Sequence, residues 1–295
     1  MARRLEIIKS GSSVLPQRLL ETCAASPEFA GWLSRLPNAV DELRDRWNLA
    51  LGQAIDHSGC CSWVAPARRA DGTRAILKLG LSHFEGRDEI GGLRFWDGDP
   101  FARLLEADEA LNAMLLERCE PGSPLRDAPE AEQDTVIAGL FRRLWRLPAE
   151  PQGFRDLAEM AAYWSGETLA DASAWTDVGM VHEGLRLLEE LPRTAERTVL
   201  LATDLHAGNV LRAERETWLA IDPKPFLGDP AYDATQHLLN CRDRLRSDPA
   251  ETILRFADLL EVDAARVRLW LFARCAAEPR DEWNDDYTAL ARILA

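Results

Sequence analysis

The stretch that most constrains this chain is Leu200-Leu-Ala-Thr-Asp204-Leu-His206-Ala-Gly-Asn209-Val-Leu, followed after a short break by Trp218-Leu-Ala-Ile-Asp222-Pro-Lys224. Asp204 and Asn209 stand in D-x-x-x-x-N spacing, which suits phosphoryl transfer. A nucleophilic hydroxyl has to be oriented in line with a phosphoryl group while a hard, oxygen-seeking cation bridges the phosphates. Base and metal ligand must therefore sit close together on one rigid loop. Asp204 is read as the base, and Asn209 and Asp222 as ligands of Mg2+. Asp222 ends a short β-type run at 217–221, and a hairpin with Val210–Arg212 is predicted to bring it back over Asn209.

The order of elements predicts an α+β, two-lobed chain. Residues 1–46 read as a leading helical segment interrupted by Pro16, Pro27 and Pro37. Runs at 47–55, 62–68 and 74–79 read as strands, the last two joined by a turn whose Asp71-Gly72 pair is a strong hairpin signal. Ser82 is expected to cap a helix over 83–96. Apolar runs at 101–107 and 111–119 complete a small antiparallel five-stranded N-lobe over 47–120. Pro121-Gly-Ser-Pro124 breaks the chain, and 121–295 reads as a larger, mostly helical C-lobe with the catalytic hairpin embedded in it.

The small lobe carries a nucleotide grip. In Ala75-Ile-Leu-Lys78-Leu a lysine emerges from an apolar strand, where it would reach the α- and β-phosphates as a fixed point charge; the plainer reading is a snorkelling lysine on an edge strand. Glu89 in the following helix is the expected ion-pair partner, with Glu85 one turn earlier as the competitor. Gly59 and the Cys60-Cys61-Ser62 backbone would form the phosphate-covering turn. Glu117 and Cys119, leading out of the last strand, would form the hinge that pairs with adenine through backbone groups.

Composition narrows the partners. A hydrophobic share of 46% excludes a disordered chain, and a formal charge of −14 argues against nucleic acid and favours either cationic partners or simple solubility. The six cysteines form no C-x-x-C pair and read as reduced thiols. The start lacks a signal-peptide core, and no uncharged apolar run is long enough to span a bilayer. The expected setting is soluble and cytoplasmic, with no membrane partner.

Taken together, Arg74-Ala-Ile-Leu-Lys78, His83-x-Glu85-x-x-x-Glu89, Leu93-Arg94-x-Trp96-Asp97-Gly98, Leu115-Leu-Glu117-Arg118, Asp204-Leu-His206-x-Gly208-Asn209 and Ile221-Asp222-Pro-Lys224-Pro-x-x-Gly228-Asp229-Pro-Ala-Tyr232-Asp233 resemble the aminoglycoside and hydroxyurea resistance kinases from about residue 45 to 245. The resemblance implies a protein-kinase-like fold, ATP as donor with Mg2+, and a small, cationic, streptomycin-like acceptor or hydroxyurea. By position, Asp204 matches the base, Asn209 and Asp222 the metal ligands, and Lys78 with Glu89 the phosphate-orienting pair. One departure stands out: many relatives have His-Gly before the catalytic Asp, where this chain has Ala202-Thr203.

Neighbouring residues carry alternatives. His206 would position the loop by donating to a carboxylate, or take part in proton transfer. Asp229 and Asp233 resemble the acidic residues that brace the catalytic loop in that family, or each caps a helix, Asp229 ahead of Pro230; Asp233 is also a candidate group near the acceptor. Lys224 would meet the transferred phosphate or face solvent. Glu278, Asp281 and Trp283 would attract and stack a polycationic sugar, or simply form a solvated acidic face. Competing functions are a metabolic kinase for another alcohol or amine, a nucleotide-binding pseudokinase, and a metal-dependent hydrolase built on Asp204, His206 and Asp222.

Overall fold

The computed structural model describes residues 15–55, 61–279 and 285–295. It divides into two compact units, Met1–Gly122 and Ser123–Ala295.

The first unit opens with helices α1 (Gln17–Ala25) and α2 (Pro27–Arg46). Two of the three prolines expected to interrupt this region instead start helices: Pro16 precedes α1 and Pro27 is the first residue of α2, where a missing N–H costs nothing. Pro37 lies inside α2. Strands β1 (Leu49–Leu51), β2 (Ser62–Arg69) and β3 (Arg74–Gly80) follow, then helix α3 (Glu89–Trp96), β4 (Leu104–Asp108) and β5 (Ala113–Glu117). They form one antiparallel sheet in the order β1-β2-β3-β5-β4. The Asp71-Gly72 turn closes the β2–β3 hairpin as predicted: Gly72 adopts φ +90°, and Asp71 Oδ1 accepts from the Thr73 N–H at 2.8 Å.

Two local expectations change. The first strand is shorter because Trp47 closes α2, its N–H donating to Leu43 O at 2.9 Å, and Asn48 then turns with φ +51°. Ser82 does not cap α3: a 3-10 turn at Glu85–Asp88 intervenes, and Asp88 occupies the cap position. One sheet face buries Trp63, Ala65 and Ala67 of β2 with Ala75, Leu77 and Leu79 of β3, in the same core as Leu19, Leu36 and Leu43 of α1 and α2. Each such leucine contributes about 1.5–3 kcal/mol by leaving water, which holds the leading helices to the sheet.

The second unit contains α4 (Glu130–Leu144), α5 (Leu157–Ala170) and α6 (Val178–Glu190), then four short strands, β6 (Val199–Leu201), β7 (Val210–Arg212), β8 (Trp218–Ala220) and β9 (Phe226–Gly228). Helices α7 (Pro230–Asn240), α8 (Arg242–Ser247), α9 (Pro249–Leu260), α10 (Ala264–Ala277) and α11 (Asp285–Leu294) complete it. Asp156, Asp177, Asp229, Asp248 and Asp263 each cap a helix start through a side-chain oxygen, as short acceptors do at orphan N–H groups. Helix α10 is the central packing element, with Trp270, Leu271 and Ala273 fully buried. Gly184 of α6 lets it approach closely, since a Cβ there would lie 2.8 Å from those of Ala276 and Ala277. Cys23, Cys61, Cys119, Cys241 and Cys275 are unbridged. Among the described residues no helix is long and apolar enough to cross a membrane.

Candidate active site

Two small β-ribbons hold the Asp204 loop. Strands β6 and β9 pair from Val199↔Gly228 to Leu201↔Phe226, and β7 pairs with β8 from Val210↔Ala220 to Arg212↔Trp218. The second ribbon is the hairpin expected from the sequence. Its ladder continues one step further, with the Ile221 N–H donating to Asn209 O at 2.9 Å, so Asp222 follows directly beside Asn209. The loop is also tied to the far segment by Lys224 N–H donating to Ala202 O at 2.8 Å.

Asp204 is half-buried, and its Oδ1 accepts from Gln236 Nε2 at 2.8 Å. Asn209 Nδ2 donates to the Asp204 carbonyl at 3.0 Å and lies 3.5 Å from Asp204 Oδ2. With Nδ2 turned inward, Asn209 Oδ1 is the atom a cation would take. Asp222 adds a carboxylate whose Oδ1 accepts from Lys224 Nζ at 2.7 Å. This all-oxygen pair of hard donors fits Mg2+, which takes one or two such groups and keeps water on its other positions. Lys224 thus sits on Asp222 rather than facing solvent alone.

Asp233 was expected near the acceptor or under the loop; the structure puts it under the loop. It is 1% exposed, and it accepts from the Ala202 N–H (3.1 Å), the Thr203 N–H (2.8 Å) and the Trp145 indole N–H (2.9 Å). Full burial removes it from any acceptor. Burial also pushes its carboxyl up to about 6, against the pull of those donors and of Arg274. Asp229 caps α7 through the Ala231 N–H at 3.0 Å and accepts from Arg266 Nε (2.5 Å) and Trp270 Nε1 (2.7 Å).

Thr203 stands in a left-handed conformation, φ +46°, that a β-branched residue adopts only under constraint. The constraint is visible: its N–H is held by Asp233, and its hydroxyl donates to Lys224 O at 2.7 Å. Thr203→Val keeps the strain and strands that carbonyl, so it is expected to cost about 1–3 kcal/mol. Thr203→Gly, which relieves the strain, is expected to cost less. Denaturant unfolding of the two variants checks the order, and the reverse ranking refutes this account.

His206 does not donate to a carboxylate as expected; its Nδ1 accepts from the Gly208 N–H at 3.1 Å. Burial first, then the nearby charges of Arg126 and His237, hold its pKa down at about 4 from 6.5. It is therefore neutral at neutral pH. Because the unfolded chain takes up this proton at higher pH than the folded one, stability is lost as pH falls from 6.5 to about 4. The loss is expected to be on the order of 3 kcal/mol, and His206→Asn should lack it. Unfolding free energies of both proteins across that window decide, and parallel curves exclude the effect.

In the first unit Lys78 and Glu89 meet at 2.5 Å (Nζ to Oε1), both buried, so Glu89 pairs with the lysine as expected. A buried ion pair adds little net stability, because desolvation offsets its attraction. Its presence is better accounted for by what it positions. Ser62 begins β2 opposite Gly80, while Gly59 lies outside the described residues. Glu117 is tied to Arg103 twice: its N–H donates to Arg103 O, and its Oε2 accepts from the Arg103 N–H. Cys119 is half-buried, with its carbonyl against Gly122, where φ is +78°.

Glu278 lines a pocket of about 540 Å³ in the second unit, together with Glu130, Gln236, Asp243, Arg242 and Tyr287. Asp281 and Trp283 lie outside the described residues. The sequence reading missed Gln236 and Arg274. The latter, 5% exposed, donates to Thr235, Gln236 and Glu278. A lone arginine inside the otherwise apolar 270–277 run was the available signal. Among the described residues, the His, Cys and carboxylate groups at ligand spacing are Asp134, His237 and Cys241, not the hydrolase set Asp204, His206 and Asp222. Arg244 binds Asp134 through both Nη1 (2.6 Å) and Nη2 (2.9 Å), so that cluster is an ion-paired core site. Burial would raise the Asp134 pKa, but Arg244 and His237 hold it well below the usual carboxylate range.

Comparison with known proteins identifies the family. The sequence profile of the aminoglycoside/hydroxyurea antibiotic resistance kinases matches residues 46–286. The streptomycin 6-kinase of Streptomyces glaucescens is 38% identical over 280 residues, covering 90% of this chain and 89% of that protein. The hydroxyurea phosphotransferase of Kitasatospora aureofaciens is 39% identical over 280 residues, covering 90% and 78%. Among solved structures, a choline kinase from Streptococcus pneumoniae matches with a TM-score of 0.65 at 12% identity, over 88% of this chain and 99% of that one. A spectinomycin phosphotransferase matches at 0.53 and 13% identity, over 87% and 93%. These two share the protein-kinase-like fold. With a profile match over most of its length and relatives this similar, the chain belongs to the aminoglycoside/hydroxyurea antibiotic resistance kinase family.

Proposed function

We propose that this chain transfers the γ-phosphate of ATP, with Mg2+, to a hydroxyl of a small cationic antibiotic of the streptomycin kind, with hydroxyurea as a second acceptor. The observation that carries the reading is the Ile221–Asn209 bond, which joins Asp222 to the Asp204–Asn209 loop and supports reading Asp204 as a base with Asn209 and Asp222 as oxygen ligands. Asp204 accepts the hydroxyl proton, Lys78 steadied by Glu89 holds the nucleotide phosphates, and Asn209 and Asp222 hold Mg2+, which neutralises charge on the phosphates when bound. Lys224, bonded to Asp222, would meet the transferred group. Three carboxylates, Glu130, Asp243 and Glu278, against two arginines, Arg242 and Arg274, leave that pocket net negative, which favours a cationic acceptor. A cytoplasmic place of action follows from ATP as donor.

The test is a phosphate-transfer screen over streptomycin, other aminoglycosides, hydroxyurea and a set of metabolic alcohols and amines, with mass spectrometry to locate a gained phosphate. Phosphorylated streptomycin, lost on chelation and restored by added Mg2+, is the expected result. Transfer to a metabolite alone would replace the acceptor assignment. No transfer to any compound would replace the enzyme reading with that of a nucleotide-binding regulator.

A further inference from the structure

We propose that Gln236 is a positioning residue that aims the Asp204 carboxylate, with Arg274 fixing which way round the Gln236 amide sits. The inference rests on the reading of Asp204 as the base. Arg274 Nη2 lies 2.8 Å from Gln236 Oε1, and Gln236 Nε2 lies 2.8 Å from Asp204 Oδ1. An arginine can only donate, so the Gln236 oxygen must face it and the amide N–H must face Asp204. The reverse orientation would set N–H groups against the guanidinium and a carbonyl against the carboxylate, turning two bonds into two repulsions. The direction of the amide is thus decided by its neighbours.

Arg274 is well suited to be the fixed end. Its Nη1 donates to Thr235 Oγ1 at 2.7 Å and its Nε to Glu278 Oε2 at 2.7 Å. Its guanidinium also lies over the rings of Tyr232 (5.1 Å) and Trp164 (5.8 Å). The contacts run from Glu278 on the pocket wall through Arg274 and Gln236 to Asp204. The terminal torsion of an aspartate is soft, so the Gln236 bond at Oδ1 adds to its aim beyond the longer Asn209 contact at Oδ2. A general base acts only within hydrogen-bond reach of the proton it takes, so lost aim lowers the chemical step and leaves nucleotide affinity alone.

Two variants test this. Gln236→Met keeps the size and removes the amide; kcat is expected to fall by about 10- to 100-fold with KM for ATP unchanged. Gln236→Glu keeps a partner for Arg274 but sets a carboxylate against Asp204, so kcat should fall at least as far while the thermal midpoint stays at or above that of Gln236→Met. Crystal structures of both should show Asp204 leaving its native orientation. Unchanged kcat in Gln236→Met, a native Asp204 orientation in both variants, or loss of folding in both would overturn the proposal. If the native chain transfers no phosphate, the functional reading fails instead, and the Asp204 orientation in the variants still decides the positioning role.

Discussion

Asp204→Asn is expected to lower turnover by about 10²- to 10⁴-fold, the range a general base supplies, while ATP affinity is unchanged. The substitution is nearly isosteric. An asparagine oxygen can keep the 2.8 Å bond from Gln236, and the loop backbone stays bonded to Asp233. What is lost is the group we assign as acceptor of the hydroxyl proton. Lys78, which we assign to the nucleotide phosphates, is untouched. Steady-state kinetics with the acceptor found in the screen, alongside calorimetric titration with ATP, separates the two quantities. Turnover close to native would remove Asp204 from the role of base and with it the mechanism proposed above.

The second large effect is on stability. Arg274→Met is expected to destabilise the fold by about 1–3 kcal/mol, because Thr235 and Gln236 lose a buried donor while Glu278, its side chain 27% exposed, keeps part of its hydration. The guanidinium is 5% exposed and serves three side chains and two aromatic faces. Methionine fills much of the space and supplies none of the donors. Adding Glu278→Met should recover part of the loss by removing the carboxylate left without its cation. Equilibrium unfolding of the single and double variants measures both terms; a single variant as stable as the native chain would mean that Arg274 is not a structural centre of the second unit.

Much of the fold is written in local patterns. The five strands of the first unit, the Asp71-Gly72 turn and the β7–β8 hairpin follow from apolar runs and turn residues whose preferences act over a few positions. The pairing of Lys78 with Glu89 is nearly as local, a strand residue meeting the start of the next helix. Boundaries were less legible where two local signals compete. Trp47 could continue a strand or close a helix, and the packing of α2 on the sheet chose the helix. Ser82 is a good capping residue, but the chain turns once more in 3-10 geometry before α3 begins. Pro16 and Pro27 read equally well as breaks or as helix starts, because proline removes a donor that a first helical turn does not use.

Around the site, the contiguous part of the chain was legible: one loop and one hairpin contain Asp204, Asn209 and Asp222, and their spacing and β-propensity were enough to predict the hairpin that brings them together. The sequence was silent on how that loop is supported. Asp233 under Thr203, Trp145 on Asp233, and Gln236 between Arg274 and Asp204 join positions far apart in the chain. A helix such as α7 presents acidic and amide side chains that suit a buried brace, a pocket wall or solvent equally well. Which of these each becomes depends on the face that neighbouring helices cover, and residue periodicity records that a face is buried without recording what it is buried against.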